Sequence, residues 1–212
     1  MKIKTKGQNM ETLIQVATQK DFKITENITR ETFWNLYKPG CNEHLVLNKL
    51  RNSKSYIREL DLIAVFENEI IGHIISTKAK VVDLLNNEHE ILCVGPIAVL
   101  LDFQKNGIGS KLINESIKVA KKIGYPGMIL FGNPEYYHRF GFVNAEKYRI
   151  TTKDNQNFEP FMALEIQKKG LTNVNGKFFE DKSFSIDEGE LIEFEMQFPY
   201  KEKTVTETQF KH

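Results

Sequence analysis

A chain of 212 residues can bury a full hydrophobic core in one domain and still carry a short appendage. Charged residues make up 27% but the net charge is only +1, so neither nucleic acid nor an anionic membrane is expected as the main partner. The first ten residues are mostly polar, no apolar run approaches the ~20 residues that cross a bilayer, and Cys41 and Cys93 are too few for a disulfide framework, so we expect a cytoplasmic protein.

The first part of the chain predicts a helical lobe followed by an antiparallel hairpin. The predicted elements are a strand at 12–17, helices at 18–34 and 43–51, and paired strands at 60–66 and 70–80. Thr18 is a suitable N-cap for the first helix, and Lys38-Pro39-Gly40 separates the two helices.

A third long strand is predicted over residues 90–99, and it contains Gly95-Pro96. Proline has no N–H for a strand ladder, so this pair indicates a bulge or a splay from the neighbouring strand. An amphipathic helix at 106–123, capped by Gly124, and a short buried strand at 128–131 follow. The strand–helix–strand order predicts a right-handed parallel crossover.

The remaining sequence predicts a short helix at 134–140 and strands at 142–150 and 161–166. From residue 168 onward, glycines separate short apolar runs, which is typical of an appended segment with little regular structure. We therefore predict an α/β (α+β) fold, with one domain at residues 1–166 and a C-terminal extension at 167–212 that packs on the domain or trails from it.

The turn between the third long strand and the amphipathic helix has the chemistry of an anion site. Gln104, Gly107 and Gly109 open the helix, and its first N–H groups and dipole favour an anion. A dinucleotide fingerprint is excluded because Leu112 stands where its third glycine would be. A P-loop is excluded because Ser110 and Lys111 stand in the reverse of the order that it requires. Alone, the motif also fits glycines that only ease helix–strand packing.

A second motif lies downstream, where Tyr137 precedes Gly141-Phe142 by four residues. With Gln104-x-x-Gly107-x-Gly109 it resembles the GNAT superfamily of acyl-CoA-dependent N-acyltransferases over roughly residues 11–166. The string from Asn133 to Tyr137 is most similar to the YhbS-like predicted N-acetyltransferases. The resemblance implies the GNAT fold, a mixed central sheet flanked by helices in which the fourth and fifth strands splay apart.

In that family acetyl-CoA lies in the splay, which implies a binding site around the glycine turn. Backbone groups of Ile97, Ala98 and Val99 would pair with the pantetheine arm. The pyrophosphate would be held at Gln104, Lys105, Asn106, Gly107, Ile108, Gly109 and Ser110. Asn133 either caps the short helix or contacts the cofactor. No metal is expected, since His73, His89 and His138 have no partner at ligand spacing.

The resemblance also implies direct attack of an amine on the thioester, with Tyr137 as the acid that protonates the departing thiolate. The general base stays unassigned, because some family members have a glutamate where this chain has Cys93. The candidates are Glu90, one strand turn earlier, and Glu43 or His44 in the helical lobe. A Cys41–His44 acyl-enzyme is a more distant alternative.

The sequence thus predicts an N-acetyltransferase that moves an acetyl group from acetyl-CoA to a primary amine of a small molecule or peptide. The alternative is a catalytically silent acyl-CoA-binding module with a regulatory or partner-binding role, and a nucleotide-phosphate enzyme is a third hypothesis. The acceptor is left open. The oligomeric state is left open too, with a homodimer as one option.

Overall fold

The structure is a computed structural model that describes residues 11–207 and residue 209. The strands in this part of the chain are β1 (Leu13–Val16), β2 (Asp61–Phe66), β3 (Glu69–Val82), β4 (Glu88–Val99), β5 (Gly127–Phe131), β6 (Val143–Asn144), β7 (Ile150–Thr152), β8 (Phe161–Glu165) and β9 (Gly176–Phe179). The helices are α1 (Gln19–Phe33), α2 (Glu43–Arg51), α3 (Ile108–Lys122), α4 (Pro134–Tyr137) and α5 (Glu188–Glu195). Among the described residues, no helix has both the length and the apolar character that crossing a bilayer requires.

The central sheet is mixed and carries helices on both faces. Its strand order is β1–β2–β3–β4–β5–β8–β6, in which β4 and β5 are parallel and the other neighbours are antiparallel. Gly72 of β3 lies against Leu112 of α3 on one face, and Gly95 of β4 lies against Leu50 of α2 on the other. The predicted mixed fold and the parallel crossover between β4 and β5 are confirmed.

The sheet is interrupted where Gly95-Pro96 occurs in β4. The pairing of β3 with β4 shifts register there, which is the predicted bulge. Over their described lengths, β4 and β5 pair at two positions, Leu92 with Met128 and Cys93 with Ile129. Beyond the second pair β5 continues against β8 alone, so β4 and β5 diverge and leave an opening between them.

Local signals explain where two of the helices begin. The N–H of Thr18 donates to Asp21 Oδ2 at 2.8 Å, which is half of a capping box at the start of α1. Helix α3 begins after Gly107, whose φ of +79° lies in the left-handed region that glycine adopts without strain. The apolar side of α3, with Leu112 and Ile113, is buried against the sheet.

A buried polar cluster joins α2 to the sheet. Arg51 donates through Nε and Nη2 to the carboxylate of Asp61 at 2.9 and 3.0 Å, and His73 Nε2 lies 3.0 Å from the same carboxylate. Burial raises the pKa of Asp61, but the hydrogen bonds from His73 and Arg51 outweigh it and bring the pKa to about 2. The helical lobe is therefore held to the sheet by a charge pair as well as by apolar packing.

Two predictions about the later part of the chain are wrong. The strand expected at 142–150 is broken into β6 and β7, because the chain turns between them and Arg149 takes a left-handed φ of +56°. The segment after residue 166 carries more regular structure than predicted, since β9 pairs with both β3 and β7 and α5 packs on α2. The division of the chain into two parts at residue 166 stays a prediction. Residues 1–10, 208 and 210–212, which belong to the two predicted parts, lie outside the described residues.

Candidate active site

A cavity of about 510 Å³ lies at the N-terminal end of α3, beside the end of β4. The predicted cofactor residues that line it are Ile97, Val99, Gln104, Lys105, Gly107, Ile108, Gly109 and Ser110. It is also lined by four residues that sequence reasoning missed, Thr32, Phe103, Tyr136 and Arg139. The glycine turn therefore borders an opening, and does more than ease the packing of a helix on a strand.

The first turn of α3 offers hydrogen-bond donors to this cavity. The first intrahelical bond runs from Lys111 N–H to the carbonyl of Gly107 at 3.0 Å. The N–H groups of the three residues between them, Ile108, Gly109 and Ser110, have no acceptor within the helix. With the helix dipole behind them, these N–H groups suit an anion such as a pyrophosphate.

Gly109 is required by the close approach of an aromatic side chain. A Cβ at this position would lie 2.6 Å from the hydroxyl oxygen of Tyr136. The guanidinium of Arg139 lies 4.6 Å from the centre of the Tyr136 ring and donates to the Tyr136 carbonyl at 2.9 Å. Tyr136 thus forms a wall of the cavity and Arg139 places a positive charge beside it. In the sequence, the only indication that Tyr136 and Arg139 belong to the site is that they lie close to Tyr137 in the chain.

Along the end of β4, alternate residues direct their backbone N–H and C=O groups toward β3 or toward the splay. Leu100 N–H donates to the Ile71 carbonyl at 2.9 Å, so in this antiparallel ladder Ala98 also bonds toward β3. Ile97 and Val99 direct their N–H and C=O groups to the opposite edge. Ala98 is buried and does not line the cavity, so the structure does not place it with the other predicted cofactor residues.

Three predicted polar side chains shape turns. Gln104 Nε2 donates to the Val99 carbonyl at 3.0 Å, and Asn106 Nδ2 donates to the Gln104 carbonyl at 3.0 Å. Asn133 accepts from the N–H of Glu135 at 2.9 Å, so of its two predicted roles the structure shows helix capping. Neither Asn106 nor Asn133 lines the cavity.

The ring of Tyr137 lies over Gly132, which is the first residue after β5. A Cβ at Gly132 would lie 2.3 Å from the Tyr137 ring, so only glycine allows this approach. The ring also meets Phe142 edge to face, with centroids 5.8 Å apart. Burial, and then the neighbouring phenols of Tyr136 and Tyr37, raise the pKa of Tyr137 well above its usual range. The phenol is therefore protonated at neutral pH and can serve as a proton donor.

Glu43 is connected to Tyr137 through Tyr37. Burial raises the pKa of Tyr37, and the charge of Glu43 raises it further. Burial also raises the pKa of Glu43, against a 2.9 Å hydrogen bond from Asn42 N–H. Tyr37 in turn raises the pKa of Tyr137, so Tyr37 lies near both Glu43 and Tyr137.

Glu90 lies elsewhere. It borders a second cavity, of about 490 Å³, that does not share a lining residue with the one at α3. Its carboxylate lies 3.7 Å from Lys78 Nζ and contributes, after burial, to raising the pKa of Tyr125 to about 12. The structure does not bring Glu90 together with Tyr137.

His44 and Cys41 are enclosed beneath the C-terminal segment. The His44 ring packs against Phe194 and Phe198, and its Nδ1 lies 3.5 Å from Cys41 Sγ. Burial, followed by the charge of Arg30, lowers the pKa of His44 to about 3, although Glu195 Oε2 lies 3.2 Å from its Nε2. Burial raises the pKa of Cys41 well above its usual range, so the thiol is protonated and unsuited to nucleophilic attack.

The motif, the splay and the cavity agree with a comparison against known families. The acetyltransferase (GNAT) family model matches residues 11–142. This chain belongs to the GNAT family. Among curated proteins it is 30% identical over 83 residues to the uncharacterized N-acetyltransferase YjhQ of Escherichia coli K12, covering 39% of this chain and 45% of YjhQ. It is 23% identical over 110 residues to the uncharacterized N-acetyltransferase YhbS of the same strain, covering 52% of this chain and 64% of YhbS.

Solved GNAT structures share the fold. YhbS from Escherichia coli in complex with CoA superposes with a TM-score of 0.73 at 20% identity, covering 85% of this chain and 96% of that one. A GNAT acetyltransferase from Brucella melitensis in complex with acetyl-CoA gives a TM-score of 0.67 at 23% identity, covering 83% and 99%. The sequence alignments span less than two thirds of either curated relative.

Proposed function

We propose that this GNAT protein is an N-acetyltransferase that transfers the acetyl group of acetyl-CoA to a primary amine by direct attack. The observation that carries the proposal is the cavity in which free N–H groups of α3 meet the open edge of β4. The CoA and acetyl-CoA bound to the two structural neighbours support acetyl-CoA as the donor. Two free, buried cysteines favour the cytoplasm as its location.

The described residues fit such a donor. The backbone of Ile97 and the N–H of Val99 are open to an amide-bearing arm, as an added strand would use them, whereas the Val99 carbonyl accepts from Gln104 Nε2. The N–H groups at the start of α3 suit the pyrophosphate, and Lys105 and Arg139 line the same cavity with positive charge. Acetyl-CoA, when bound, supplies an activated acyl group and a sulfur leaving group.

Tyr137 is the proposed acid. A buried phenol with a raised pKa stays protonated until charge develops on the departing sulfur, and can then give up its proton. Of the two carboxylates predicted from sequence as bases, Glu43 is better placed than Glu90, because Tyr37 lies near both Glu43 and Tyr137, whereas Glu90 borders another cavity.

The test combines binding with turnover. Acetyl-CoA should raise the melting temperature of the wild-type protein, and CoA release should be seen with at least one of spermidine, 2-phenylethylamine and Nα-acetyl-lysine amide. Tyr137→Phe should lower kcat about 100-fold while leaving the Kd for acetyl-CoA within about twofold. The control is Tyr200→Phe, at a tyrosine that is 93% exposed, and it should behave as wild type. Binding without turnover would instead support the silent acyl-CoA-binding module.

A further inference from the structure

Four phenylalanine side chains pack together around the end of β5. The Phe131 ring stacks on the rings of Phe158 and Phe161, with centroids 6.0 and 5.1 Å apart and an interplanar angle of 25° in both pairs. The Phe178 ring lies 6.3 Å from that of Phe131 and 5.8 Å from that of Phe161. These four side chains form the aromatic cluster.

The aromatic cluster and α3 lie on opposite faces of the sheet. Leu130 of β5 packs in the same core as Leu112 of α3, whereas Ile129 packs in the core that contains Phe161. Side chains two residues apart in a strand share a face, so Phe131 lies on the side of Ile129. The cluster therefore occupies the face of the sheet that α2 covers, away from the cavity at α3.

The cluster lies where β4 has already separated from β5. The last pair between these strands joins Cys93 to Ile129, and Phe131 is two residues further along β5. Phe131 pairs with Phe161 of β8 on its other side. In the described part of the chain, no residue of β4 pairs with Phe131, so its ring borders the opening between the two strands.

The cluster is also adjacent to the proposed acid. Gly132 follows Phe131 in the chain, so their Cα atoms are about 3.8 Å apart. A Cβ at Gly132 would lie 2.3 Å from the Tyr137 ring and 3.1 Å from the side chain of Leu130, which places Tyr137 on the α3 face. The aromatic cluster and Tyr137 thus lie on the two faces of the same end of β5, and the opening beside β4 connects the two faces.

Two rings of the cluster are left half-exposed. Phe131 is 45% exposed and Phe158 is 43% exposed, although each stacks on other aromatic rings. Their exposed surface is on the order of 200 Å², whereas each partner in a stable protein–protein interface buries about 800 Å². An apolar surface of this size, continuous with a cleft, fits one ring of a small molecule better than a second protein.

Two buried polar atoms on this side of the sheet have no hydrogen-bond partner among the described residues. One is Oδ1 of Asn157, which precedes Phe158 and donates through Nδ2 to the Ile150 carbonyl at 3.0 Å. The other is Oγ1 of Thr77, which pairs with Cys93 where β4 and β5 make their last contact. Buried polar atoms without partners are typical of a place that a water or a ligand completes.

We propose that the aromatic cluster binds the acceptor, and that the acceptor is an amine carrying an aromatic ring on a short alkyl arm. The inference rests on the proposed function and names the substrate class of that site. The substrate ring stacks on the exposed parts of Phe131 and Phe158. Its arm carries the amino group through the opening between β4 and β5 toward Tyr137, where the attack on the thioester takes place.

The first test compares three amines with the wild-type protein at saturating acetyl-CoA, with CoA release as the measurement. Ethylamine has the same amino group and arm as 2-phenylethylamine but lacks the ring, so 2-phenylethylamine should have a kcat/KM about 100-fold higher. A saturated ring is apolar but has no flat face to stack, so 2-cyclohexylethylamine should have a kcat/KM about fivefold lower than 2-phenylethylamine.

The second test changes the cluster. Phe131→Ala should lower kcat/KM for 2-phenylethylamine about 30-fold and for ethylamine less than threefold. Phe158→Ala, in the loop before β8, should lower the first value about tenfold, and it provides a second measurement if Phe131→Ala does not fold. The control is Tyr200→Ala, which removes a 93% exposed aromatic ring elsewhere and should behave as wild type. All three variants should keep the Kd for acetyl-CoA within about twofold.

Equal kcat/KM values for the three amines, a higher value for spermidine than for 2-phenylethylamine, or equal losses with both amines in Phe131→Ala would overturn the proposal. If the wild type acetylates no amine, the proposed function fails, and a binding measurement then tests the cluster by itself. Isothermal titration of 2-phenylethylamine into the protein saturated with CoA supports the cluster if Phe131→Ala raises the Kd about 30-fold. No binding, or the same Kd in both proteins, overturns it.

Discussion

At Gly109 a single absent methyl group decides whether the cavity at α3 stays open. Gly109 lies in the first turn of α3 with ordinary helical geometry, so alanine would cost nothing in backbone strain. The constraint is the Tyr136 hydroxyl, which would lie 2.6 Å from an added Cβ. The glycine of the motif is thus explained by a tyrosine that lies 27 positions later in the sequence.

Gly109→Ala should therefore weaken binding and leave folding unchanged. We expect the Kd for acetyl-CoA to rise about tenfold, because Tyr136 must move into the cavity. The melting temperature should stay equal or rise slightly, since alanine is the better helix former. Isothermal titration of acetyl-CoA is the measurement.

The matched control removes the hydroxyl that would clash. Gly109→Ala combined with Tyr136→Phe should recover most of the lost affinity, while Tyr136→Phe alone should stay within about threefold of wild type. An equally weak double variant would show that the cavity depends on the glycine backbone and not on this contact.

Among the elements, the segment from α5 to residue 207 packs against the helical lobe and helps to hold it. Arg30 pairs with Glu195, and Trp34 Nε1 donates to the Glu202 carbonyl at 2.8 Å. Phe194 and Phe198 enclose His44. The loop between α1 and α2, which carries Tyr37 toward Tyr137, is therefore supported from behind by the C-terminal segment.

Phe198→Ala should destabilise the whole fold. Phe198 is 9% exposed, packs on His44, and lies 3.8 Å from Lys23 Nζ. Its truncation should lower the free energy of unfolding by about 2–4 kcal/mol, measured by urea denaturation. Tyr200→Ala, two residues away and 93% exposed, should change it by less than about 0.5 kcal/mol. Similar small effects for both would mean that the segment is an independent appendage.

Over the whole molecule, stability at acid pH depends on two buried histidines. Burial lowers the pKa of His44 to about 3, and burial also lowers the pKa of His73. Their protonation below pH 6.5 therefore favours the unfolded chain, so their contribution to stability falls as the pH drops. Glu43 and Glu180, whose pKa values burial raises, act in the opposite sense.

A difference measurement isolates His44 from these other groups. Between pH 7 and pH 5 the unfolded chain gains a proton at His44 that the folded protein does not, which costs about 2 kcal/mol of unfolding free energy. The free energy of unfolding of His44→Gln should therefore decline less over this range than that of the wild type, by about that amount. Parallel curves for the two proteins would show that the pKa of His44 is the same in the folded and the unfolded chain.

The sequence by itself determined the donor side of this protein. The strand, the glycine turn and the helix are consecutive, so Gly95-Pro96 and Gly107 fix a bulge and a helix start through local backbone chemistry. Tyr137, in the short helix after β5, was predicted only through the resemblance to the GNAT family. The GNAT family model matches residues 11–142, a range that contains these motifs.

Only the tertiary structure decided which residues from distant parts of the chain lie next to these motifs. Tyr136 meets Gly109, and Tyr37 lies near enough to Tyr137 to raise its pKa, although each pair is far apart in the chain. Strands β7 and β9 were missed because three or four residues carry too little periodicity to identify a strand before its partner is known. Such contacts depend on how the sheet curls and where its edges meet, and no local pattern of residues encodes that.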